Sequence, residues 1–144
     1  MHTAHFSHTA SLLFSRDVLV AGGVRGVPAS NFPGIAEIYA PSTGTWTVTG
    51  AMHTSRQNHT ATVLENGTVL VAGGENYCDD DGCTTTNSAE IYNPKTGAWT
   101  YTNSMRTYRE GAGAVLLQNG RALIAGGENS FGGPIWATAE QYVP

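Results

Sequence analysis

Arg56 and Arg109 occupy equivalent places in two copies of a repeat, and His5 stands at the corresponding place earlier in the chain. A recurring guanidinium can bind acidic groups of a ligand through its planar fork, or it can pair with carboxylates and carbonyls of its own fold, Glu110 among them. Both readings are open. His8 and His59 form a second repeated pair, which the third copy replaces by Ala112. Loss at one copy favours a buried, hydrogen-bonded histidine over a metal ligand. The run Met1-His2-Thr3-Ala4-His5-Phe6-Ser7-His8 spaces histidines at i, i+3 and i+6. In an extended chain successive side chains alternate, so the three do not share one face and no nickel or zinc site is expected.

Glu37, Glu90 and Glu140 recur in every copy, two residues before Tyr39, Tyr92 and Tyr142. A carboxylate kept in each copy serves the repeat, so these are expected to accept hydrogen bonds from backbone or from an arginine of the adjacent copy. The asymmetric feature is 76-NYCDDDGCTTTN-87, which holds both cysteines of the chain. Cys78 and Cys83 are close enough for a loop-closing disulfide in an oxidising compartment. Asp79, Asp80 and Asp81 could present oxygens to calcium, but the spacing of a calcium loop is absent, so a solvated acidic tip is expected. Zinc would need two further ligands that nothing nearby supplies. Asn58-His59-Thr60 and Asn66-Gly67-Thr68 satisfy the glycosylation sequon, a pattern common by chance.

The elements that position these residues follow from the repeat itself. Glycine pairs fall at Gly22-Gly23, Gly73-Gly74 and Gly126-Gly127, Thr-Gly precedes Trp46 and Trp99, and Met1, Met52 and Met105 open the copies. A repeat of roughly 50 residues made of strand and turn points to a propeller blade. In the second copy, His59 to Leu64 is a strand ending at a hairpin whose Asn66-Gly67 pair supplies positive φ. Thr68 to Ala72 is an apolar central strand with both faces covered. Gly73-Gly74 ends it, through a special conformation or a close approach to a neighbour. Ser88 to Tyr92 and Trp99 to Thr102 complete an antiparallel four-stranded meander, and the segments Val24 to Ile35, Glu75 to Ser88 and Glu128 to Thr138 are variable loops. No helix is expected, since no apolar 3.6-residue period is sustained and the strand runs are rich in Val, Thr and Tyr. The apolar stretch Val18 to Ala21 is too short to cross a membrane. No leader is expected ahead of a repeat that opens at Met1.

The glycine pair, the Tyr with its preceding Glu, the Trp after Thr-Gly and the Met-x-x-x-Arg-x-x-His start (Met52, Arg56, His59) resemble the kelch family of β-propellers over essentially the whole chain. The resemblance implies an all-β kelch domain over 1–144, with blade 1 at 1–51, blade 2 at 52–104 and an incomplete blade 3 at 105–144. Glu37, Glu90, Glu140, Trp46, Trp99, Gly73 and Gly74 become structural repeat positions. In kelch adaptors the arginine opening the innermost strand lines the channel mouth, which implies a ligand-binding mouth at His5, Arg56 and Arg109. The family ranges from peptide-binding adaptors to sugar epimerases and a copper oxidase of galactose, so the resemblance specifies fold and leaves function open.

Blade 3 reaches Tyr142-Val143-Pro144 without a third tryptophan segment. Two readings follow: a fragment whose homodimer closes a six-bladed ring, which is preferred, or a part of a larger propeller. The expected function is a non-catalytic, self-assembling module with a structural or binding role toward a peptide or glycan and no cofactor. The alternative is a sugar-modifying or redox enzyme at the central channel. An oxidase would need tyrosines, histidines and a crosslinked cysteine around copper, whereas acid–base work could use Glu110 or His59. A net charge of −4 with 7 basic residues argues against nucleic acid and anionic membranes as partners. With 12% charged residues the surface is built from Thr, Ser, Asn and Gly, which favours an extracellular or cell-surface setting.

Overall fold

Short runs of β-branched and apolar residues, each cut off by Gly, Pro or Asn, give strands and no helix in the computed structural model, which describes residues 1–24, 34–79, 82–129 and 133–144. β1 (Thr9–Leu12), β2 (Val18–Ala21), β3 (Ala36–Ala40) and β4 (Thr45–Val48) form an antiparallel sheet in that order, which is blade 1. Blade 2 begins with β5 (Thr60–Val63) and β6 (Val69–Ala72), is interrupted by a separate hairpin of β7 (Glu75–Asp79) and β8 (Gly82–Thr85), and ends with β9 (Ala89–Asn93) and β10 (Ala98–Thr102). Blade 3 contains β11 (Gly113–Leu116), β12 (Ala122–Ala125) and β13 (Ala139–Tyr142). The expected meander is therefore observed. The β7–β8 hairpin corrects the reading of 75–88 as loop alone. Asp80, Asp81 and the side chains of Cys78 and Asp79 lie outside the described residues, as does 25–33 of the first variable segment.

The inner hairpins share one turn geometry. Leu64 N donates to Thr68 O at 2.8 Å and Gly67 N to Leu64 O at 2.9 Å, and the same pair of bonds recurs at Leu13–Asp17 and Leu117–Arg121. Of the Asn66-Gly67 pair only Gly67 has positive φ, at 82°. The turn is thus a three-residue loop with its last residue left-handed, not the two-residue turn that Asn-Gly suggests. Asn66 Oδ1 instead accepts from Thr68 N at 3.0 Å and from Thr68 Oγ1 at 2.7 Å. Blade 1 places Arg16 in the left-handed position, at φ 73°, where it bears a steric cost that glycine avoids.

The glycine pairs meet both expectations at once. Gly73 and Gly74 have φ of 69° and 92°. A Cβ on Gly73 would overlap the carbonyl of Arg109 in the next blade, and one on Gly74 would overlap that of Gln57. The close approach lets Gly74 N donate to Arg109 O at 2.9 Å, and Gly23 N donates to Arg56 O at 2.8 Å one repeat earlier.

Two apolar cores fill the spaces between successive blades. The first contains Leu13, Leu19, Ala21, Ala36, Met52, Val69, Val71, Tyr92 and Trp99. The second contains Leu64, Leu70, Ala72, Ala89, Met105, Ala122 and Ile124, with Tyr142 packed against it. Each position of the second core repeats one of the first. Trp99 has no counterpart in it.

Candidate functional site

The residues expected at a channel mouth are used up inside the blades. Arg56 is 0% exposed, and its guanidinium donates to Gly73 O at 2.8 Å, Ser88 O at 3.0 Å, Ser88 Oγ at 3.0 Å and Glu90 Oε1 at 3.0 Å. Arg109 repeats the pattern toward Gly126 O at 2.7 Å, Thr138 O at 3.0 Å and Glu140 Oε1 at 3.2 Å. His5, too short to reach the carboxylate, brings Nδ1 within 2.7 Å of Gly22 O. The structure thus places His5, Arg56 and Arg109 on hydrogen-bond partners within their own blades, the second of the two readings open for them. The carbonyls that end the second strand and precede the third converge on one point, and a buried guanidinium satisfies them. The partner acids are Glu90 and Glu140, not Glu110.

The repeated carboxylates close the same unit from the other side. Glu37 accepts from the backbone of His2 (2.8 Å) and Thr3 (3.1 Å), Glu90 from His53 (2.8 Å) and Thr54 (2.9 Å), and Glu140 from Arg106 (2.6 Å) and Thr107 (3.1 Å). The arginine donor belongs to the same blade, where the adjacent one was expected. Burial pushes all three carboxyls upward, but these hydrogen bonds outweigh it and hold each below the ordinary value.

His59 is buried and sits 2.9 Å by Nε2 from Thr9 Oγ1 of blade 1, the inter-blade role expected for it. Burial, then the Arg56 and His8 charges, lowers its pKa to about 3, so it is neutral at ordinary pH. His2 turns toward Glu37, with Nδ1 at 3.2 Å. The rings of His5 and His8 do come together, at 4.8 Å between centroids, because Ser7 between them is left-handed at φ 57° and the segment is not a strand. Among the described residues no group of three or more His, Cys, Asp or Glu is placed to hold a metal ion. Cys83 is disulfide-bonded, and Cys78 is its register partner across β7 and β8.

Polar residues that differ between the copies gather elsewhere, at one end of the inner hairpins beyond the glycine pairs. There the backbone bridges Phe6 to Val24, Gln57 to Glu75 and Glu110 to Glu128 at equivalent places. Blade 1 is apolar at this level, whereas blades 2 and 3 carry amide and acid. Gln57 Nε2 donates to Glu75 Oε2 at 2.5 Å, and Asn58 Nδ2 reaches both Glu75 (3.4 Å) and Glu110 (3.2 Å), so one amide clasps carboxylates of two blades. Asn58 is left-handed at φ 51°; its N donates to Ser7 O and its O accepts from Gly111 N, which threads three blades together. Beside it Glu110, Gly111, Gly127, Glu128 and Ile135 line a recess of about 190 Å³. Thr85 of β8 bonds Asn129 through their side chains, which sets the hairpin against the same end. Sequence reading missed Gln57, Glu75 and Glu128 here. The available signal was their departure from Phe6 and Val24 in the first copy.

Burial, then the hydrogen bond and charge of Glu75, with Glu128 adding and Asn58 opposing, raises the Glu110 pKa to about 7. The opposed shifts predict a two-sided pH profile. The repeated glutamates contribute stability above 4.5, and it is lost as pH falls below that value. The Glu110 contribution is full below 4.5, declines as the unfolded carboxyl ionises, and is lost once pH passes about 7. From pH 5 to 8 the Glu110 share of this change is a loss of about 1–2 kcal/mol, discounted for water at the site, and it runs against the gain that His59, with its pKa lowered to about 3, contributes as pH rises toward 6.5. In urea unfolding, the stability of the unaltered chain relative to Glu110→Gln should fall by that amount from pH 5 to 8; a difference that stays constant with pH would refute the assignment.

The architecture is that of successive β-propeller blades. Residues 55–106 match the Kelch motif model. The Kelch-like protein terF of Aspergillus terreus is 28% identical over 121 residues, covering 82% of this chain and 26% of that protein. The solved structure of a fungal alcohol oxidase in complex with copper matches with a TM-score of 0.74 at 18% identity, covering 87% of this chain and 27% of that one. Residues 55–106 thus carry a Kelch motif within a run of propeller blades, and the chain spans about a quarter of the length of these two proteins.

Proposed function

We propose that the chain is a non-catalytic binding module that receives a basic peptide segment at the acid- and amide-lined end of blades 2 and 3. The observation that carries this is the division of labour among polar residues. The repeated arginines and glutamates pair with each other inside their blades, and polar residues that break the repeat collect beside a recess with Ile135 83% exposed at its edge. Carboxylates of Glu110 and Glu128 suit lysine or arginine, and the apolar rim suits the stem of such a side chain. Kelch propellers commonly serve as protein-binding scaffolds, which supports a peptide over a small anion. The test is a fluorescence-polarisation screen of basic peptides beside a glycan array. Saturable binding of lysine- or arginine-containing peptides, weakened about tenfold by Glu128→Gln with unchanged melting, is the expected result. Binding confined to glycans would replace the reading.

Acid–base chemistry on a sugar is the second reading, favoured by a Glu110 carboxyl poised near neutrality in that recess. Among the described residues the oxidase alternative finds no donor set to build on. Cys83 is in a disulfide, Tyr39 and Tyr92 stack on Trp46 and Trp99, and Tyr142 bonds Thr102, so the side chains a copper site would need are committed elsewhere.

A further inference from the structure

The chain carries the acceptor pattern of an N-linked glycan twice, at Asn58-His59-Thr60 and Asn66-Gly67-Thr68, and the fold treats the two oppositely. Asn58 spends its amide on the blades, with Nδ2 3.4 Å from Glu75 Oε2 and 3.2 Å from Glu110 Oε2, and Thr60 is buried with its hydroxyl 3.3 Å from Ala72 O. A sugar on that nitrogen would displace it from both carboxylates. Asn66 is exposed at the tip of the β5–β6 hairpin, at the opposite end of β5 from Asn58. Its Oδ1 accepts from Thr68 N at 3.0 Å and Thr68 Oγ1 at 2.7 Å, and among the described residues nothing accepts from its Nδ2. The side-chain turn thus ties down the oxygen and leaves the nitrogen to solvent. Blade 3 repeats the hairpin with Asn119 exposed and its Oδ1 3.2 Å from Arg121 N, but Arg121 takes the place of the hydroxyl residue. The disulfide at Cys83 is of the kind that persists in oxidising compartments, the ER lumen among them.

We propose that Asn66 is the acceptor of an N-linked glycan in this chain. An oligosaccharyltransferase moves the sugar from a lipid-linked diphosphate donor. The bond from sugar C1 to Asn66 Nδ2 forms, the bond from C1 to the diphosphate oxygen breaks, Nδ2 gives up one proton and the lipid diphosphate leaves. Both hydrogen bonds to Oδ1 survive the transfer, so the turn accepts the sugar without rearranging. The glycan stands at the end of blade 2 away from Gln57, Asn58 and Glu75, and a bulky, solvated group there leaves the acid and amide end open.

The test is secretion of the 144-residue chain from a yeast that adds N-linked glycans, read by intact mass before and after digestion with peptide N-glycosidase and by glycopeptide mapping. One enzyme-sensitive glycan is expected, at Asn66, with Asn58 and Asn119 bare. Asn66→Asp keeps the oxygen that Thr68 bonds and lacks the nitrogen, so it should be secreted without the glycan, whereas Thr68→Ser should keep it. Arg121→Thr completes the pattern at the equivalent turn and should add a second glycan, at Asn119. A secreted chain without a glycan, a glycan on Asn58, or Asn119 left bare in Arg121→Thr would overturn the proposal.

Discussion

Arg56→Met is expected to lower the unfolding free energy by about 3–5 kcal/mol, the usual cost of removing one partner from a buried ion pair. Methionine replaces much of the arginine stem, so the loss reports the missing donors more than missing volume. Glu90 would retain the His53 and Thr54 amides but stay fully buried without its guanidinium, and the carbonyls of Gly73 and Ser88 would lose a donor they share. Arg109→Met supplies the internal comparison. Its partner Glu140 has a side chain 19% exposed, against 0% for Glu90, so water replaces part of what is lost and a smaller cost is expected. Among the described residues blade 1 has His5 on Gly22 O in place of the arginine, and Glu37 accepts there from His2 and Thr3. Urea unfolding of both variants decides it. Equal losses, or an Arg56→Met loss under about 1 kcal/mol, would show that the staple is not what holds the blade.

The fold was legible because its signals are local and repeated. The glycine pairs, the Glu-x-Tyr strands and the Trp after Thr-Gly each specify backbone conformation or one face of a strand, and their spacing places the four strands of a blade in order. What a repeated polar side chain points at is a different kind of information. Arg56 recurs at Arg109 whether it faces a channel or its own blade, and only the convergence of Gly73 O, Ser88 O and Glu90 on one point distinguishes the two. The acid and amide end was hidden for a related reason. Glu75 and Glu110 lie far apart in sequence, and it is the bridges beyond the glycine pairs and the left-handed Asn58 that bring them to one amide. The β7–β8 hairpin escaped because its acidic tip and glycine read as loop, although Thr84 and Thr85 beside Cys83 favour strand.

Trp99→Ala is expected to cost about 3–5 kcal/mol, whereas Trp46→Ala should cost less than half as much. The two tryptophans sit in the same strand of successive blades and stack on equivalent tyrosines, at 4.9 Å for Tyr39–Trp46 and 5.0 Å for Tyr92–Trp99. Stacking within the blade is therefore common to both and cancels in the comparison. What differs is the next layer. Trp99 is 5% exposed, packs among Leu19, Ala36, Met52 and Val71 of the first core and donates to Gly50 O, while Trp46 is only half-buried at the outer strand of blade 1. Truncation at 99 opens a cavity between blades and leaves a carbonyl without its donor; truncation at 46 exposes a surface that water already reaches. The difference between the two variants, read by chemical denaturation, is then a measure of what one indole contributes to holding two blades together. Equal costs would mean that the indole acts within its own blade alone.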